Sequence, residues 1–192
     1  MWTIGESKLE IRVLENRIQK GFTILELMIA VALLAIFLAL ALPSFRAAIQ
    51  NNRLAAQSND LITALQMARS EAIKRSAPVS LCASSDQATC SGSWADGWIV
   101  YVDAEVGGSS DTDVGELLRA WPPLDGNSSF EAGGSLPEFL RYLPGGSMDA
   151  DGMGAAFPVT FQLRTPDCTR DSARDIELER TGRAGASRVA CS

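Results

Sequence analysis

Gly21-Phe22-Thr23-Ile24-Leu25-Glu26 opens an apolar run that does not end until Leu42. Between Phe22 and Leu42 there are 21 residues, and Glu26 is the only charged one. As a helix rising about 1.5 Å per residue, the run spans roughly 31 Å, close to the hydrocarbon thickness of a bilayer. A carboxylate inside such a segment costs about 2.5 kcal/mol or more, so it needs a dedicated partner. The identity of that partner decides how the rest of the chain reads.

Residues 1–21 carry Lys8, Arg12, Arg17 and Lys20 against Glu6, Glu10 and Glu15 and show little apolar patterning. One reading makes the whole N-terminus a secretory signal, with Ala39-Leu40-Ala41 as the cleavage site and a soluble domain as the product. The apolar stretch is longer than the roughly 7–15 residues such signals use. A plain N-terminal anchor is a second reading. Neither gives Glu26 a partner. A cut between Gly21 and Phe22 does, because it exposes an α-amino group four residues before Glu26, on the same helix face. The Glu26 carboxylate can then meet the Phe22 ammonium of a neighbouring helix, or of its own.

Gly21, Phe22, Thr23 and Glu26 ahead of a full-length apolar helix resemble the processing signal of the type IV pilins. The resemblance implies cleavage after Gly21 by a prepilin peptidase, N-methylation of Phe22, and assembly from the inner membrane into a filament with other pilin or pseudopilin subunits. It also implies that Pro43 bends or locally melts the helix for packing in the filament; a proline inside a helix removes one hydrogen bond. Alternatively, Pro43 marks the exit from the membrane.

Past Pro43 the pattern becomes amphipathic. Phe45, Ile49, Leu54, Leu61, Leu65, Ala68, Ala72 and Ile73 fall mostly at three-, four- and seven-residue steps among polar residues. The spacing predicts a helix that continues to about Ser76, ahead of Pro78, roughly 80 Å long when counted from Phe22. The expected organisation is a leader at 1–21, a transmembrane helix at 22–42, its amphipathic continuation at 43–76, and a β-rich periplasmic domain at 77–192.

In that last region strands are expected at Val79–Ala83, Trp98–Asp103, Leu117–Trp121, Phe139–Leu143, Pro158–Arg164, Asp175–Arg180 and Ser187–Cys191. The expected fold class is α+β: a long N-terminal helix laid on antiparallel sheets, as in type IV pilins. Trp94, Trp98, Tyr101, Trp121, Phe130, Phe139, Tyr142, Phe157 and Phe161 are expected to fill the core rather than form an aromatic ligand box.

All four cysteines, Cys82, Cys90, Cys168 and Cys191, follow the apolar run. An even number in an exported domain points to disulfides, with three connectivities open. Cys82–Cys90 and Cys168–Cys191 are favoured, the first closing a short loop and the second pinning the last strand. A zinc site is the rival, but there is no C-x-x-C pair and no histidine.

The absence of histidine also removes Ser-His-Asp, Cys-His and the common zinc-hydrolase chemistries. No phosphate-binding loop is present, and Lys74 is the only lysine after Gly21. The chain reads as a non-enzyme without a cofactor. Two acidic loops, one with Asp103, Glu105, Asp111, Asp113 and Glu116 and one at Asp149-Ala150-Asp151-Gly152, raise calcium as a ligand. Pro158 stands where an EF-hand glutamate would be needed, so solvated turns are expected instead.

Further runs narrow the resemblance. Asn51–Leu54, Ala64–Arg75, Pro78–Cys82, Ser93–Asp103 and the late Gly182-Arg183 are similar to the GspH/FimT family of minor pilins and pseudopilins. Membership implies a minor component of a type IV pilus or of a type II secretion filament. The two cysteine pairs lean towards the pilus. Some FimT-like members bind DNA through G-R-x-R near the C-terminus. Here Arg183 is followed by Arg188, three positions beyond the motif's second arginine.

Charge argues against broad DNA binding. The chain holds 17 basic and 23 acidic residues; without the four and three of residues 1–21, it carries 13 and 20, a net −7. Two alternatives stay open: a FimT-like minor pilin that binds DNA at a pilus tip through Arg183 and Arg188, and a membrane-anchored periplasmic binding module that never polymerises.

Overall fold

A computed structural model describes residues 21–105, 108–132, 136–166, 168 and 173–191. The expected leader, apart from Gly21, lies outside them. The chain divides into two compact units, Met1–Pro43 and Ser44–Ser192.

Helix α1 runs over Ile24–Arg75, a span that includes Pro43. Its first turn carries Glu26 and its last turn Lys74 and Arg75, charges that oppose the helix dipole at both ends. The helix stops where the sequence places its end. Ser76 turns left-handed (φ 50°) and the Ala77 N–H reaches back to the Ala72 carbonyl, a C-cap that leads into Pro78.

In the second unit, Leu54, Leu61, Ala64, Leu65, Ala68 and Ala72 form the buried stripe of this helix. Phe45, Ile49 and Ile73, assigned to the same stripe from their spacing, are exposed. Spacing alone overstates the buried face at both ends, where the domain no longer covers it.

Among the described residues, eight strands form two antiparallel four-stranded sheets. The first has the order β3-β2-β1-β5, with β1 at Val79–Ala83, β2 at Trp98–Asp103, β3 at Val114–Trp121 and β5 at Phe139–Tyr142. The second has the order β4-β6-β7-β8, with β4 at Ser129–Ala132, β6 at Val159–Arg164, β7 at Ala173–Leu178 and β8 at Ala184–Val189. A single turn of 3-10 helix spans Trp94–Asp96, and a four-residue helix, α2, spans Ala150–Met153. The α+β expectation is met: a long helix packs on antiparallel sheets.

Five of the seven expected strands moved at an end: β3 begins at Val114 rather than Leu117, β5 stops at Tyr142 rather than Leu143, and β6, β7 and β8 moved for local reasons. Pro158 cannot donate to a ladder, so β6 begins at Val159. β7 stops at Leu178, and β8 starts at Ala184 rather than at Ser187, because Glu179–Gly182 is a tight turn. The Gly182 N–H donates to the Glu179 carbonyl (2.8 Å), and the Glu179 N–H donates to the Arg183 carbonyl (2.9 Å). β4 has four residues and one large apolar side chain, too little for its alternation to stand out.

The main core joins the helix stripe to both sheets. Trp94, Trp98, Trp121 and Phe161 are buried in it, with Phe130 and Phe157 partly buried beside them. Trp98 stacks on Trp121, and Phe130 meets both Trp98 and Phe161 edge-on.

β1 is central in its sheet and buried along its whole length, so its two faces serve different cores. Val79, Leu81 and Ala83 join the main core. Cys82 joins Ile99, Tyr101 and Phe139 in a smaller core. Disulfides link Cys82 to Cys90 and Cys168 to Cys191.

Candidate assembly site

The N-terminal unit offers an apolar surface and one acid. Phe22 is 85% exposed, and every residue from Gly21 to Ala39 is exposed. The α1 window of highest hydropathy averages 2.8 with none of its surface buried, so the helix is long and apolar enough to cross a membrane. An apolar surface of this size requires lipid or other protein against it.

Thr23 sets where the helix begins. Its Oγ1 accepts from the Glu26 N–H (3.2 Å), and its carbonyl accepts from the Leu27 N–H (3.1 Å). Thr-x-x-Glu is the sequence signature of a helix start, and the hydroxyl satisfies a backbone donor that the helix cannot. The capping role of Thr23 is legible in the same four residues that make up the motif. The cap places Glu26 in the first turn, one turn beyond Phe22.

In the second unit, the acidic loops are only in part the solvated turns expected of them: Asp111, Asp113, Glu116 and Asp151 are exposed, but two acids are not. Asp103 and Asp149 are both buried, at 4% exposure each, and converge on the fully buried Arg141 of β5. Arg141 Nε donates to Asp103 Oδ2 (2.9 Å) and Nη1 to Asp149 Oδ2 (3.2 Å). Nη1 also donates to the Ser109 carbonyl (2.8 Å), and Nη2 to that of Asp111.

Asp103 further accepts from the hydroxyls of Ser80 (2.6 Å) and Thr112 (2.8 Å), and from the N–H groups of Glu105 and Asp113. Asp149 accepts from the N–H groups of Gly108 and Gly152. Where a cation was weighed from sequence, a guanidinium sits. Burial pushes the Asp103 carboxyl up, but its hydrogen bonds outweigh burial and hold it below the ordinary carboxylate range. No spacing rule links residues 103, 141 and 149, so the cluster was invisible in sequence.

Arg183 and Arg188 do not converge. Arg183 immediately precedes β8, and Arg188 lies within it. Five residues apart on an extended chain, they face opposite sides. Arg183 shares a shallow cleft with Glu177 and Glu179. Arg188 is instead the register partner of Arg174 on β7, a residue that sequence reasoning passed over.

Gly182 is needed for its conformation and for space: φ is +79°, and an added Cβ would lie 2.2 Å from the Gly146 carbonyl oxygen. Gly182→Ala is expected to lose about 1–3 kcal/mol in urea unfolding. Gly145→Ala, with nothing within 4 Å of its Cβ, should stay within about 0.5 kcal/mol of wild type.

A long helix on two antiparallel sheets, opened by a capped, acid-bearing apolar segment, defines the pilin class of structural subunits. The family model described as "Type II transport protein GspH" matches residues 57–182, and the chain belongs to that family. A second model, the prokaryotic N-terminal methylation motif, matches residues 16–42. No curated protein matches the chain.

Two crystal forms of the type IV minor pilin FimU from Pseudomonas aeruginosa are similar in fold, each at 20% identity. One has a TM-score of 0.55 and covers 71% of this chain and 89% of FimU. The other scores 0.52 and covers 70% and 92%.

Proposed function

We propose that the chain is a minor subunit of a type IV pilus or type II secretion filament, cut between Gly21 and Phe22 and methylated on Phe22. It is held in the inner membrane by α1, with its disulfide-linked domain in the periplasm until incorporation. The observation that carries this is the capped apolar segment at the start of α1, exposed from Phe22 to Ala39, with Glu26 as its only charge. Glu26 pairs with the new amino group of Phe22, most productively with that of an adjacent subunit. Pro43 gives the helix the freedom to pack beside others. The two disulfides favour the pilus as the destination, since they suit a domain that must survive outside the cell.

The test is co-expression with a prepilin peptidase, followed by intact mass. The expected product begins at Phe22 and carries one extra methyl group. Gly21→Val should leave the precursor uncut, because a bulky side chain displaces the scissile bond. A chain that keeps residues 1–21 in the presence of active peptidase overturns the reading in favour of an anchored module that does not polymerise.

A further inference from the structure

Within β7 and β8, Arg174 and Arg188 are direct register partners, and like charges set opposite each other on a ladder repel. Strand alternation puts Arg174 on the same face as Ile176 and Leu178, which are buried in the main core, so the pair sits at the rim of the core-facing side.

Arg174 is half-buried and Arg188 exposed. Arg174 Nε is buried and meets no acceptor. Neither arginine belongs to an ion pair among the described residues, whereas Arg75, Arg141 and Arg164 all do. The strand's own acids point away: Asp175 takes a hydrogen bond from Gln162 (3.0 Å), and Glu177 lines the cleft with Arg183, both on the other face. Burial, followed by the charge of Arg188, lowers the proton affinity of Arg174. The fold thus sets two guanidiniums opposite each other on the edge ladder of a sheet, with neither in an ion pair among the described residues.

We propose that Arg174 and Arg188 form a carboxylate-binding site for an acidic side chain on the adjacent filament subunit. Opposed residues on a ladder lie about 4.5–5.5 Å apart at Cα, so two guanidiniums can fork a single carboxylate. One such site suits a single oxyanion. A nucleic-acid backbone requires a track of positive charge, and Glu131, Asp175 and Glu177 on the same sheet, with Glu179 in the turn after β7, work against a polyanion. Subunits as acidic as this one supply the complementary carboxylates. The inference rests on the filament reading above.

The test uses the full chain in a host that assembles the filament. Arg174→Gln/Arg188→Gln is expected to be cut at Gly21 and to reach the membrane like wild type, while its recovery in sheared filaments falls by about tenfold or more. Arg174→Lys/Arg188→Lys, which keeps the charge but not the fork, should restore only part of that loss. Recovery within about twofold of wild type for the Gln pair overturns the proposal. Failure of the wild type itself to be cut or incorporated counts against the filament reading instead.

If the Gln pair does not accumulate, detergent-solubilised wild type titrated with sodium glutarate decides the matter. Saturable shifts of the arginine Nε–H resonances support the site, and their absence overturns it. Binding of short duplex DNA by wild type that the Gln pair loses would assign the site to phosphate and overturn the carboxylate reading.

Discussion

Glu26→Ala is expected to leave cleavage after Gly21 intact and to abolish incorporation into filaments. The substitution removes the only charge in the run from Phe22 to Leu42, which is otherwise apolar apart from Thr23. Without it, the Phe22 ammonium enters a low-dielectric bundle unpaired, at a cost of about 2.5 kcal/mol or more, or roughly 70-fold per subunit.

Hydrophobic contact cannot replace the pair, because lipid tails are as apolar as a neighbouring helix and offer no preference for any register. Glu26→Gln separates charge from hydrogen bonding. It keeps an acceptor near the amine but no negative charge, and should assemble far less than wild type. The measurement is the fraction of processed protein recovered in sheared filaments relative to the membrane. Wild-type recovery for Glu26→Ala would remove the basis for pairing as the assembly device.

The second large effect belongs to Arg141. Arg141→Met preserves much of the side-chain volume but leaves Asp103 and Asp149 buried with no cation between them. Breaking a buried pair from one side costs about 3–5 kcal/mol. That is a large share of the roughly 5–15 kcal/mol that stabilises a typical domain. Urea unfolding followed through the buried Trp94, Trp98 and Trp121 measures it. A loss below about 1 kcal/mol would mean that water or a rearranged loop takes the guanidinium's place.

The same cluster fixes a dependence on pH. The Asp103 carboxyl is held below its ordinary range in the folded state. Its contribution is therefore complete above the unfolded value, near 3.9, and disappears as pH falls through the lower folded value. Wild type should lose stability as pH falls below about 4, and Asp103→Asn, although weaker at neutral pH, should lose less over the same fall.

The network also reaches the Cys82–Cys90 disulfide. Thr112 donates to Asp103 and bonds the Tyr101 hydroxyl, and Tyr101 lies 3.4 Å from Cys90 Sγ. Loops that looked like separate polar connections are thereby tied to one face of the first sheet.

Much of this protein was readable before folding was considered. The apolar run with its lone acid, the helix end before Pro78, and strands β1 and β2 to the residue all follow from short-range rules: transfer cost, capping and alternation. The favoured cysteine pairing also followed from positions in the chain.

Tertiary structure alone decided which acids are solvated and which arginines stand together. Asp103, Arg141 and Asp149 lie 38 and 8 residues apart, and Arg174 faces Arg188 only because a turn at Gly182 sets the register of β7 on β8. A charge looks like surface in sequence because exposure is the cheaper state for an unpaired ion. Only the folded chain shows where another charge has come close enough to reverse that preference, or where none has.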